Sequence, residues 1–218
     1  MNIVKYISVL IICLISINSY AQPKESFEKQ LNLVQHSWAK TYYELSDDAQ
    51  ENGFEQLENE ITSLVKLFPR RAEAWIWHGI VKSSFAGTKG GFGALSFAKA
   101  AKKSFEKAIE IDGSVMLGSA YNSLGILYHK VPGWPIAFSD DDDAKKLLEK
   151  SLKLNPNGLD SNYFYGEFMY DEGEYKLANY YLLKAKSAPA RESRPLADKY
   201  RQREVSTLLA KVDKKLSQ

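Results

Sequence analysis

The chain has 218 residues, with 29 Lys and Arg against 27 Asp and Glu and a formal net charge of +2. Mixed signs without a basic stripe argue against a nucleic-acid binder, which needs clustered positive charge to displace phosphate counterions. A single cysteine, Cys13, leaves no disulfide within the chain and no cysteine-based metal site.

The first element in chain order is a targeting segment. Lys5 provides a positive start, residues 7–17 form an apolar run too short to cross a bilayer comfortably, and Ser19-Tyr20-Ala21 places small residues at a cleavage site. The expectation is a cleaved leader over residues 1–21, with Gln22 as the first mature residue. Cys13 follows Ile12 rather than a small residue, which disfavours lipid attachment there. Removal of Lys5 leaves 28 basic and 27 acidic groups. A cysteine-free exported chain suits an oxidising compartment such as a periplasm, with no stable membrane insertion once the leader is gone.

Residues 22–70 form an N-terminal pair of helices. Phe27, Leu31, Val34, Trp38, Tyr42 and Leu45 recur at three- and four-residue steps, the period of an amphipathic helix. Leu57, Ile61, Leu64 and Pro69 continue as a degenerate second helix.

Three units over residues 71–190 share a register. Trp75 and Gly79 precede Ala101, Phe105 and Ala108; Tyr121, Leu124, Gly125 and Tyr128 precede Ala144, Leu148 and Ser151; Tyr165, Gly166 and Met169 precede Ala178, Leu182 and Ala185. This is similar to the tetratricopeptide pattern, in which each unit is a helix pair that buries its apolar face only by stacking on neighbours. Small residues at matching places let the paired helices approach closely, and bulky ones fill the gaps. From glycine to the following alanine the units span 22, 19 and 12 residues. The first two therefore predict inserted loops, of about ten and seven residues. These fall at residues 86–93 and 131–138, at one end of the array, where variable loops often form a working face.

Residues 191–218 form a final helix. Leu196, Tyr200, Val205, Leu208, Leu209, Val212 and Leu216 mark its apolar side, and a face rich in Lys, Arg and Gln predicts a solubilising cap. The predicted fold is all-α: a right-handed superhelical array of about four such hairpins plus a C-terminal capping helix.

Two phrases go beyond the general repeat: Val131-Pro-Gly-Trp-Pro-Ile-Ala-Phe-Ser-Asp140 and Asn155-Pro-Asn-Gly-Leu-Asp-Ser-Asn-Tyr-Phe-Tyr-Gly166. With the loop lengths, the chain from Ala72 to the final helix resembles the T-component family of tripartite ATP-independent periplasmic (TRAP) transporters. That resemblance implies a helical-repeat bundle able to trimerise, and association with the transporter's solute-binding subunit in the periplasm. It also implies guidance of an apolar ligand through an internal channel. The family's lipoprotein members carry a lipid-attachment cysteine that this chain lacks.

If Trp75 and Tyr121 face the core, residues one step further along line a concave groove. These are Ile76, Ile80 and Ser83; Asn122, Ile126 and His129; and Tyr163, Glu167 and Tyr170. The gradient from apolar to polar and aromatic suits a peptide, a partner helix or an amphipathic ligand. In the second loop, Pro132 and Pro135 stiffen a turn that carries Trp134, with Phe138 beyond it. Trp134 either plugs the repeat edge or meets a partner.

Other motifs point away from chemistry. Asp140 to Asp143 lack the alternate spacing, turn glycine and distal glutamate of a calcium loop, and fit helix capping with help from Ser139. Residues 87–93 have the wrong order for a phosphate loop. His36, His78 and His129 lie on three helices without ligand spacing, and no nucleophile–base pair stands out, so neither catalysis, metal nor cofactor is expected. The leading expectation is a non-enzymatic periplasmic adaptor for a protein partner. The alternatives are a carrier or channel-like binder of an apolar small molecule, and an adaptor in another envelope assembly.

Overall fold

A computed structural model describes residues 24–133 and 135–218. The expected leader over residues 1–21 and the side chain of Trp134 lie outside the described residues. Among the described residues there are nine helices and no strand: α1 (Lys24–Glu44), α2 (Asp47–Leu67), α3 (Ala72–Lys89), α4 (Gly91–Asp112), α5 (Val115–Lys130), α6 (Asp141–Leu154), α7 (Leu159–Asp171), α8 (Tyr175–Lys186) and α9 (Pro195–Leu216). None of them is long and apolar enough to cross a membrane.

Each consecutive pair from α1 to α8 packs as a hairpin, and each hairpin packs on the next. The fold is the expected helical-repeat array of four hairpins with one further helix. The shared register explains the packing. A Cβ on Gly125 would lie 2.8 Å from Leu148 Cγ and 3.1 Å from the Ala144 carbonyl oxygen. On Gly166 it would lie 2.9 Å from Leu182 Cγ, and on Gly79 it would strike the Phe105 ring. Glycine is required at these places because the facing helix leaves no room for a side chain.

The N-terminal pair packs as a helical hairpin. Phe27, Leu31, Val34 and Trp38 of α1 bury against Phe54, Leu57, Ile61 and Leu64 of α2. The apolar run stops sooner than its spacing predicts: Tyr42 is 41% exposed and Leu45 lies beyond the helix.

The first expected loop is absent. Residues 86–89 complete α3, residues 91–93 begin α4, and Gly90 alone joins them. Gly90 and Gly91 adopt φ of +62° and +57°, values that disfavour any residue with a Cβ. The extra residues lengthen the hairpin because Ala94, Phe97 and Ala98 carry the helical apolar period back through the segment, to pack with Ala86. The second loop is a true loop over residues 131–133 and 135–140. Asp140 closes it, its side chain accepting from the Asp143 N–H at 2.9 Å, with Asp141 to Asp143 in the first turn of α6. The cap is Asp140 itself rather than Ser139, whose backbone N–H donates to the Pro132 carbonyl.

The final helix departs most from expectation. Val205, Leu208, Leu209 and Val212 join the core of α7 and α8, but the near end of α9 reaches α1. Tyr200 stacks on Tyr43 with ring centroids 4.7 Å apart and planes 5° from parallel, and Ala197 is buried in the core of the first hairpins. The helix is therefore a strut across the concave side, joining the first hairpin to the last. Its cationic face is partly interior, because the arginines find acids there.

His78 packs between helices. Ser104 Oγ donates to the Ala100 carbonyl, so His78 Nδ1, 2.8 Å away, donates to Ser104 Oγ, and the ring is neutral with Nε2 facing Thr62 at 3.4 Å. Burial, reinforced by Lys82 and opposed by Glu58, pulls its pKa down to about 4. A folded value below the unfolded one, about 6.5, means that the unfolded chain takes up the proton first as pH falls. Stability is thus flat above about pH 6.5 and declines toward pH 4, by roughly 2 kcal/mol for this partly exposed ring. Urea unfolding at both ends of that window should show His78→Gln reducing the pH dependence by about this amount; equal pH slopes would contradict it.

Candidate functional site

The first helices of the hairpins, α1, α3, α5 and α7, face the concave side, and α9 roofs it. Between them lies a cavity of about 400 Å³. Trp38, Tyr42 and Tyr43 form its α1 wall; Ile80, Ser83 and Ser84 come from α3; Asn122, Ile126 and Leu127 come from α5. Phe164 of α7 and Ala197 of α9 complete an apolar lining, and the charges on it are Lys130, Asp160, Arg194 and Arg201. A second space of about 420 Å³ shares Ser119, Asn122, Asp160 and Arg194 with the first. The two meet at that polar waist. Met116 and Leu117, which border the second space, hold φ of +51° and +54°, a left-handed start to α5 that costs order 1–2 kcal/mol per residue.

The waist is held by an ionic network. Asp160, at the start of α7, accepts from Arg191 Nη1 at 2.6 Å and from Arg201 Nε at 3.1 Å. Arg191 also bonds Asp198, through its backbone N–H at 2.7 Å and Nε at 2.8 Å, and Arg201 Nη1 meets Glu204 at 2.6 Å. Burial alone would raise the Asp160 pKa, but Arg201, Arg191 and Arg194 outweigh it and hold the carboxyl far below the usual range. Burial likewise pushes the Tyr43 and Tyr163 hydroxyls up, so both stay neutral. The Arg201 guanidinium lies 4.5 Å from the Tyr163 ring and 4.3 Å from that of Phe164, and Arg194 lies 5.0 Å from the Trp77 ring, cation–π contacts strengthened by desolvation.

Of the expected groove residues, Ile80, Asn122 and Ile126 line the main cavity together with Ser83. Ile76 does not: it is fully buried in the core of the first two hairpins. Trp75 sits at the helix edge, its indole N–H donating to the Pro69 carbonyl at 2.9 Å, and Trp77 takes the core place instead. Tyr163 and Glu167 border a smaller space of about 260 Å³ under α9. His129 bridges Asp141 at 2.8 Å and Asp171 at 3.0 Å, tying α5 to α6 and α7 outside the main cavity. Tyr170 packs on Tyr175 at 5.6 Å, away from both spaces. Pro132 is exposed in the loop, and Phe138 folds back on Tyr128 at 5.5 Å with the Lys102 ammonium 5.0 Å from its ring.

Sequence spacing missed the α1 aromatics Trp38, Tyr42 and Tyr43, and Phe164, Arg194 and Arg201. The signal for the arginines was the isolated acid Asp160 near a helix start, three or more decades of residues from a run of arginines. Among the described residues no three of His, Cys, Asp and Glu are grouped to hold a metal ion.

No protein-family model and no curated protein matches the sequence. Solved structures do match. One, from the functional characterization of Pseudomonas aeruginosa pilF, is 16% identical over 88% of this chain and 93% of its own, with a TM-score of 0.35. Likeness at that score adds no argument about function. The chain's own helix packing establishes an all-helical repeat scaffold with a partly open concave cavity.

Proposed function

We propose that this protein is a non-enzymatic binding scaffold of the cell envelope whose partly roofed concave face holds a small amphipathic molecule. One observation carries the proposal: α9 occupies the groove that a partner helix would need, leaving about 400 Å³. A small ligand fits, since such pockets begin near 300 Å³ and combine apolar walls with a few polar groups. The apolar walls and polar waist thus favour the carrier over a peptide-binding groove. Export to the periplasm rests on the features of residues 1–21.

The test uses N-phenyl-1-naphthylamine, a neutral apolar fluorophore, as the probe. It should bind the mature protein one to one, and Ile126→Trp, which fills the cavity, should weaken it at least about tenfold with helicity unchanged. A filled variant that binds as tightly as the wild type would sink the proposal.

A second reading keeps a protein partner on the outer surface. Ile136, beside Pro132 in the loop, is 59% exposed, and Leu177, Tyr180 and Leu183 expose apolar surface along α8. With the resemblance noted above, the partner would be a periplasmic solute-binding protein, and trimerisation would be an added association. Copurification of such a protein in stoichiometric amount from the native periplasm supports this reading; its absence removes it.

A further inference from the structure

We infer that the cavity selects a monocarboxylate, whose head group is held by Arg194 while its apolar body lies against Trp38, Ile80, Ile126 and Phe164. This rests on the cavity being a ligand site and adds the chemical class of the ligand. The three arginines around Asp160 are not equivalent. Arg191 and Arg201 occupy one carboxylate oxygen each, at 2.6 and 3.1 Å, and both have a further acidic partner. Arg194 has neither. Its Nε is buried without a partner, its Nη1 stands 4.0 Å from an Asp160 oxygen already bonded to Arg191, and its guanidinium forms no hydrogen bond among the described residues.

A buried guanidinium with unused donors is costly unless something accepts from it. The Trp77 ring, 5.0 Å away, attracts the charge but accepts no in-plane N–H. Arg194 is 17% exposed at the side chain and lines both spaces; with Nε sealed, its Nη donors are the ones that open onto the waist. The charged groups on the main cavity wall are three cations, Lys130, Arg194 and Arg201, against the single acid Asp160. Lys130 is already paired with Asp171 at 2.7 Å. The vacancy in the network is thus for one anionic fork.

The planar donors of one arginine match one carboxylate in a bidentate pair. A phosphate dianion fits less well: it would bring two charges to one free cation, beside the Asp160 carboxylate.

The experiment displaces N-phenyl-1-naphthylamine with sodium decanoate and, in parallel, with decan-1-ol, from wild type and Arg194→Gln. Decanoate should lose roughly 10- to 100-fold in affinity in the variant, and decan-1-ol less than about twofold, because only the acid uses the charged hydrogen bonds. Carboxyl-labelled decanoate bound to wild-type protein provides a measurement independent of the variant's folding. Its carbon-13 signal should titrate at lower pH than the free acid, since a guanidinium favours the ionised form. An unshifted titration, or equal loss for acid and alcohol, overturns the carboxylate inference and leaves the cavity standing. Failure of the fluorophore, the acid and the alcohol to bind overturns both.

Discussion

Replacing Asp160 with alanine is expected to destabilise the protein by about 3 kcal/mol, lowering its melting temperature by roughly 6–12 °C for a chain of this size. Deleting one partner of a buried ion pair costs roughly 3–5 kcal/mol, because the remaining charge stays desolvated and uncompensated. Here two guanidinia lose their bonds at once, Arg191 and Arg201, and Arg194 loses its ion-pair partner. The lower end of the range applies because the Asp160 side chain keeps 26% of its exposure and Arg191 retains Asp198. The loss should be local in origin and global in effect, since Asp160 ties α7 to the segment entering α9, and α9 ties the last hairpin to the first. Urea unfolding followed by circular dichroism measures it. A cost below about 1 kcal/mol would mean that the network behaves as an exposed pair and that the strut is held by Tyr43, Tyr200 and Ala197 instead. The pH dependence has a definite sign. The folded carboxyl titrates well below its unfolded value near 4, so its contribution is complete above that pH and declines as pH falls below it.

The parts of this fold that were legible in the sequence are those set by near neighbours along the chain. Gly79, Gly125 and Gly166 announced close approaches because each faces the bulky residue four places after the small alanine of the next helix, Phe105, Leu148 and Leu182. Periodicity could not show α9 crossing to α1, because nothing in a helical stripe says which distant helix covers it. Arg191, Arg194 and Arg201 look like solvated charges beside Lys199 and Arg203; only the return of Asp160 from 31 to 41 positions earlier makes them interior. The groove was half legible for a related reason. Ile80 and Ile126 face the cavity as the helix period requires, but Ile76, one turn earlier on the same face as Ile80, is sealed into the core of the first hairpins, a depth of burial that periodicity alone does not give. The glycine-rich stretch at residues 86–93 failed differently. Glycines at four of eight positions suggest a loop, yet tertiary packing of Phe97 on Phe85, with centroids 4.6 Å apart, keeps the flanking turns helical.

That same helix permits an opposed pair of substitutions. Gly79→Val should cost about 3 kcal/mol or more, whereas Gly87→Ala should be neutral or stabilise by up to about 1 kcal/mol. Both glycines lie within α3, where either replacement gains helix propensity, alanine more than valine by roughly half a kcal/mol, so most of the difference between the two variants reports packing. A Cβ at Gly79 would stand 2.6 Å from Phe105 Cδ1 and 2.8 Å from its Cζ, while a Cβ at Gly87 has nothing within 4 Å. Phe105 is fully buried among Ala101, Leu124 and Leu127, so its ring cannot swing clear without disturbing the next hairpin. The ring and the glycine should therefore be coupled. Phe105→Ala alone leaves a cavity and costs roughly 3–5 kcal/mol, but it also removes the obstruction. In the double variant with Gly79→Val the new methyl groups occupy part of the vacated space, and the two costs should fall short of their sum by at least about 1 kcal/mol. Strict additivity would mean that the collision at Gly79 is relieved by helix displacement rather than borne by Phe105. The matched glycine and bulky residue would then be incidental to the spacing of the hairpins.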